Sequence, residues 1–148
     1  MAGKELTFDL PVRLEHVQDF ARAVGEDNPV FFDIEAAEQQ GFPNVVAPPT
    51  FTTTQIFQVP RAEREQQLGA NLDYGRVLHG EQEFVYKRLP IAGETLKGRM
   101  RIAKDFTKEG KRGGAMRFVT YESIFTDEAG DEVLSAYYTL IETAKDVG

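Results

Sequence analysis

The stretch Gly25–Asp33, GEDNPVFFD, sets two carboxylates, Glu26 and Asp27, directly ahead of an Asn28-Pro29 turn. A carboxylate on a short rigid loop suits general-base work on water, provided an acid on the same loop reaches the same oxygen. A histidine would be expected a few residues on. This chain has Phe31 and Phe32 there, and a hydrocarbon ring neither gives nor takes a proton. Glu26 then reads either as a residual general base or as a solvated loop carboxylate. Phe31 and Phe32 read either as an apolar wall for a ligand or as core and interface packing.

Few other residues can do chemistry. Cysteine is absent, which removes disulfides, thiolate nucleophiles and thiolate metal ligands. Two histidines, His16 and His79, are too few for a histidine-rich metal site, and no HExxH spacing occurs. His79, inside LHGEQ, is a candidate substitute acid, or else a satisfied structural residue or one at a subunit contact. Gly80 beside it marks a bulge or a close backbone approach. Lys108, Lys111 and Arg112, in TKEGKRGG, can meet phosphates or simply stay hydrated on a hairpin tip.

The 17 basic and 24 acidic side chains leave a net charge of −7, which opposes a nucleic-acid partner. The 148 residues, 41% hydrophobic and 28% charged, fit one globular domain, residues 1–148, with a real core. No apolar run reaches membrane-spanning length, so no membrane partner is expected. The first residues lack the apolar segment of a secretion signal, and a cytoplasmic setting is expected.

These residues need elements to hold them. Leu6, Phe8 and Leu10 alternate with polar residues, as in a short strand ending at Pro11. Val17, Phe20, Ala21 and Val24 recur at helical spacing between Leu14 and Val24, and Gly25 ends that helix. Asp33 can cap a short helix, Ile34 to Gln40, closed by Gly41. Pro49 is suited to a first helical turn, which predicts a helix from Pro49 to Phe57 that buries Phe51, Ile56 and Phe57 and stops at Pro60. Arg61 to Leu68 is charged, as in a surface helix or loop.

The period then changes. Val77–Arg88 reads as a strand with Leu78, Phe84 and Tyr86 on one parity, followed by strands over Thr95–Phe106, Ala115–Thr126 and Val133–Thr143. DEAGDE is a hairpin turn around Gly130. The order predicts an α+β fold: a long antiparallel sheet wrapped around one buried central helix.

That order is the hot-dog plan, and four stretches sharpen the match: GEDNPVFFD, VVAPPTF (Val45–Phe51), VLHGEQEF (Val77–Phe84) and RLPIAGETL (Arg88–Leu96). The chain resembles MaoC-like (R)-specific enoyl-thioester hydratases and dehydratases. It is most similar to their N-terminal-type, non-catalytic-like half and to small subunits of heteromeric (3R)-hydroxyacyl dehydratases. In catalytic members an Asp and a His on the loop hold one water. Laid on this chain, Gly25, Asn28, Pro29 and Val30 agree, while the Asp position is Glu26 and the His position is Phe31. Catalytic members also open the buried helix with Ala-His-Gly, whose Gly N–H meets the thioester carbonyl. Here the stretch is Ala47-Pro48-Pro49, and Pro49 has no N–H. Such a donor contributes about 3 kcal/mol to the transition state.

The resemblance implies an acyl-CoA or acyl-carrier-protein substrate and no cofactor. It implies a substrate-binding surface of Asn28, Phe31, Ala47, Pro49, Thr50, His79 and Gly80. It also implies edge-to-edge pairing, as a homodimer or as a heterodimer with a catalytic hot-dog subunit that supplies the Asp/His dyad. Two alternatives stay open: a self-sufficient acyl-thioesterase using Glu26, and a non-catalytic acyl-binding module.

Overall fold

The computed structural model describes residues 3–111 and 114–145. Arg112, the third cation of the hairpin tip, lies outside them. Among the described residues, five strands form one antiparallel sheet: β1 (Leu6–Pro11), β2 (Val77–Tyr86), β3 (Thr95–Glu109), β4 (Ala115–Thr126) and β5 (Glu132–Glu142), in the order β1-β3-β4-β5-β2. The described residues also form three α-helices, α1 (Leu14–Ala23), α2 (Ile34–Gln39) and α3 (Arg61–Leu68), between β1 and β2 in the sequence. The α+β hot-dog class predicted above is therefore the class observed.

Strand β4 shows why the sheet has a defined inner face. Val119, Tyr121, Ser123 and Phe125 are 0% exposed, while Thr120 and Glu122 between them keep 8% and 9% exposure and Phe118 and Ile124 are only partly buried. Register carries the pattern across the sheet: Tyr121 faces Tyr138, Ser123 faces Ala136, and Phe125 faces Leu134. One part of the core gathers Leu10, Val17, Val45, Phe51, Phe125 and Leu134 under the central segment. A second gathers Leu6, Leu68, Leu72, Met100, Val119 and Tyr121 beneath α3.

The central element differs from its prediction. It is a 3-10 helix, Phe51–Phe57, with Thr50 as its cap, and not an α-helix from Pro49. Phe51 N–H donates to the Pro48 carbonyl and Thr53 N–H to that of Thr50, both three residues back. The hydroxyls of Thr53 and Thr54 also donate to the carbonyls of Thr50 and Phe51. Threonine hydroxyls that compete for nearby carbonyls, on β-branched residues that lose rotamer freedom in an α-helix, favour this tighter coil. The coil buries Phe51, Thr52 and Gln55. Ile56 and Phe57, predicted to be buried, are 62% and 77% exposed.

Strand β2 departs in a second way. A bulge between His79 and Glu81 shifts its register against β5. Leu78, opposite Ile141, is therefore half exposed, and it does not share the inner side taken by Phe84 opposite Ala136.

Candidate functional site

The Gly25–Asp33 loop is fixed from both ends. Gly25 takes a left-handed φ of 78°, where other residues are strained, and lets the chain leave α1. Glu26 N–H then donates back to the Ala21 carbonyl at 2.9 Å. The Asn28 side chain accepts from Val30 N–H at 3.1 Å, and Pro29 opens a single 3-10 turn, Pro29–Phe31. Val46 N–H reaches the Val30 carbonyl at 3.1 Å and ties the loop to the chain leading into the central segment. The Asn28-Pro29 turn thus does the positioning read for it in the sequence.

What that turn positions is apolar. Phe31 is 9% exposed and packs in a cluster with Ala21 and Val46, flanked by Val30, Phe32, Phe42, Leu89 and Ile91. Arg22 lies 6.0 Å above the Phe32 ring, on the solvent side of that cluster. Glu26 is half-buried and Asp27 exposed.

Ala47, Pro49 and Thr50 sit where the chain turns into the central segment. Ala47 is fully buried, and its N–H donates to the Pro90 carbonyl at 2.8 Å. Pro49 and Thr50 are exposed. The Pro49 carbonyl accepts from the Tyr86 hydroxyl of β2, whose pKa burial raises. The motif RLPIAGETL is structural at its centre: Arg88 grips Glu94 through two nitrogens at 2.8 and 2.7 Å, and Glu94 also accepts from Ile91 N–H at 2.6 Å.

His79 and Gly80 are found elsewhere. The exposed His79 ring stacks on Tyr138, with centroids 6.3 Å apart. It lines a cavity of about 170 Å³ together with Thr52, Gln55, Arg64, Gln82 and Phe84. At Gly80 a Cβ would stand 2.6 Å from Ile141 Cδ1, so this is a close approach as well as a bulge. The substrate-binding residues named from the sequence therefore fall into two groups. Asn28, Phe31, Ala47, Pro49 and Thr50 lie along the loop and the start of the central segment, whereas His79 and Gly80 lie on β2.

Behind the cavity is a polar cluster that sequence reading missed. Arg64 donates to the hydroxyls of Tyr138 and of Tyr74, the latter at 2.5 Å. Tyr74 in turn donates to Glu65 at 2.7 Å, and the Arg64 guanidinium lies 4.8 Å from the Tyr121 ring centre. Burial raises the pKa of all three phenols and pushes Tyr138 up to about 12. The signal available in the sequence was thin: a charged helical stretch and tyrosines far apart in the chain.

Lys108 and Lys111 are exposed at the β3–β4 hairpin tip, beside a groove of about 570 Å³. Among the described residues, no group of acidic and histidine side chains could hold a metal ion.

Residues 3–136 match the family described as "FAS1-like, dehydratase domain region". The chain belongs to this family. Within curated proteins it is 40% identical over 133 residues to a UPF0336 protein of Clavibacter michiganensis subsp. michiganensis, covering 89% of this chain and 85% of that one. It is 37% identical over 135 residues to one of Streptomyces avermitilis, covering 90% and 85%. Among solved structures, it is similar to the (3R)-hydroxyacyl-ACP dehydratase HadBC complex of Mycobacterium tuberculosis, with TM-score 0.77 and 27% identity over 95% of this chain and 98% of that one. A MaoC-like dehydratase superposes with TM-score 0.81 and 28% identity, over 95% of this chain and 42% of that longer one. As a member of the FAS1-like dehydratase-region family, the chain shares the MaoC-like hot-dog plan inferred from its motifs. Among the described residues, no helix is long and apolar enough to cross a membrane.

Proposed function

We propose that this chain is one subunit of an (R)-specific enoyl-thioester hydratase–dehydratase. It holds the acyl thioester, from coenzyme A or a carrier protein, and forms the interface. A second hot-dog subunit supplies the Asp/His dyad. In hydration the partner's base takes a proton from water, whose oxygen bonds to C3 of the enoyl thioester, and C2 receives a proton. Dehydration is the reverse.

One observation carries the reading. The ring that stands in the imidazole position, Phe31, is packed into an apolar cluster and is 9% exposed. Pro49, in the position of the oxyanion donor, has no N–H, and its carbonyl is already engaged by Tyr86. A homodimer of such chains would hold no dyad, which favours a heterodimer. The edge strand β2, ten residues long and mostly exposed, offers unpaired backbone groups for the partner's edge. The similarity to a heteromeric dehydratase complex supports that pairing.

The test is crotonyl-CoA hydration by the purified chain, alone and after co-expression with a hot-dog chain that carries an intact Asp-x-Asn-Pro-x-His loop. The expected result is turnover only in the co-purified pair. Turnover by the lone chain at the pair's rate would overturn the proposal. Thiol release by the lone chain that Glu26→Gln abolishes would assign it to the thioesterases instead.

A further inference from the structure

The outer face of the sheet, turned away from the core, carries its charges sorted by strand. Register lines up rows that run β3-β4-β5-β2 across this face. One row starts at Arg101 on β3, passes Glu122 on β4 and ends at Glu83 on β2. The next starts at Lys104 and ends at Glu81. Cations therefore lie on one side of the face and anions on the other. All four terminal residues line a single groove of about 570 Å³ and are exposed. Arg101 is held by Glu122 at 2.7 Å, whereas Lys104, Glu81 and Glu83 have no ion-pair partner among the described residues.

A third row is apolar. Phe106 stacks on Phe118 with ring centres 5.1 Å apart, and the row continues through Ile141 to Leu78. Phe106 and Leu78, at its two ends, are 47% and 48% exposed. The bulge at His79–Glu81 is what brings Leu78 to this side.

This order of rows selects its own partner. A surface of one charge would meet like charges on one side of the face. A second copy of the same face, turned about a twofold axis that runs along the strands between β4 and β5, does not. That rotation keeps every row at its own height and lays β3 of one copy over β2 of the other. Lys104 then faces Glu81 of the second copy, Arg101 faces Glu83, Phe106 faces Leu78 and Phe118 faces Ile141. Each contact is made twice, as an isologous interface requires. Sheets stack face to face at about 10 Å, within reach of long charged side chains from both copies. Four strands about 4.8 Å apart and four rows about 6.8 Å apart, with Val85 in the fourth, span about 500 Å² per copy. Two copies then bury about 1,000 Å², the size at which specific interfaces begin.

We propose that the outer face of the sheet is a self-association surface on which two copies of this chain stack back to back. The proposal is independent of the acyl-thioester reading. It leaves the β2 backbone edge free, so a catalytic subunit can pair there and the assembly becomes a dimer of heterodimers.

The experiment is sedimentation equilibrium of the full chain against two exposed charge reversals, Glu81→Lys and Lys104→Glu. Each variant alone sets like charges across both copies of the contact and should weaken self-association at least tenfold. An equimolar mixture of the two variants restores an opposite-charge pair at both contacts, and so does one chain carrying both substitutions. Both should associate within threefold of the unaltered chain. Circular dichroism melts that match the unaltered chain show that each variant is folded. A chain that sediments as a monomer throughout would overturn the proposal. Self-association that neither reversal weakens would also overturn it and would point to pairing through the β2 edge. Weakening by each variant without recovery in the mixture and in the doubly substituted chain would overturn the assigned pairing of Lys104 with Glu81, and with it the stacked arrangement.

Discussion

Replacing Phe31 by alanine tests whether the ring in the imidazole position is core or part of a working pocket. The ring is almost wholly buried between α1, Val46 and the Leu89–Ile91 segment. A buried phenylalanine removes roughly 150–250 Å² from water, at about 25 cal/mol per Å². Truncation to alanine forfeits most of that and leaves a void, for an expected loss of about 3–5 kcal/mol. With a urea slope of about 2 kcal/mol per M, the unfolding midpoint should fall by about 2 M. Urea unfolding followed by circular dichroism reads this directly, with Phe32→Ala, at a less buried site, as the milder control. Phe31→His belongs in the same series: it places an imidazole among apolar neighbours and should destabilise the chain without conferring crotonyl-CoA hydration. A midpoint shift for Phe31→Ala equivalent to under about 1 kcal/mol would refute the packing argument, since losses that small belong to surface sites. Hydration by the Phe31→His chain alone would refute the argument that Pro49, which has no N–H to meet a thioester carbonyl, keeps the lone chain inactive.

Two further outcomes follow from the sheet and the polar cluster. Gly80→Ala puts a Cβ 2.6 Å from Ile141 Cδ1 and should cost about 1–3 kcal/mol in urea unfolding. Adding Ile141→Val should recover part of the loss, and a simple sum of the two effects would show that Ile141 is not the obstacle. Burial holds the Tyr138 phenol protonated up to about pH 12, above its ordinary value of 10.0, so the folded state keeps a proton that the unfolded chain has released. The stability this contributes is complete below pH 10 and is lost as pH rises toward 12. Urea midpoints across that range should decline, and Tyr138→Phe should flatten the decline.

Much of this protein was determined by local pattern. The two-residue alternation of Val119, Tyr121 and Ser123 against Phe118, Thr120 and Glu122 set an inner face that register then carried across the sheet. Glycines after the helices, Pro29 in its turn and the Gly130 hairpin are chemical signals that act within a few residues, and they lie where the sequence puts them. That position 31 carries a hydrocarbon ring and position 49 a residue without an N–H is likewise a matter of residue type alone. Tertiary structure decided the rest. Whether the central segment coils as α or 3-10, and that Ile56 and Phe57 face outward, depends on competition between hydroxyls, carbonyls and packing that no period records. A single extra residue at the His79–Glu81 bulge reversed the side on which Leu78 lies. The cavity of Thr52, Gln55 and Arg64 exists only because β5 brings Tyr138 against a helix 74 residues away in the chain, a contact set by long-range pairing rather than by any local preference.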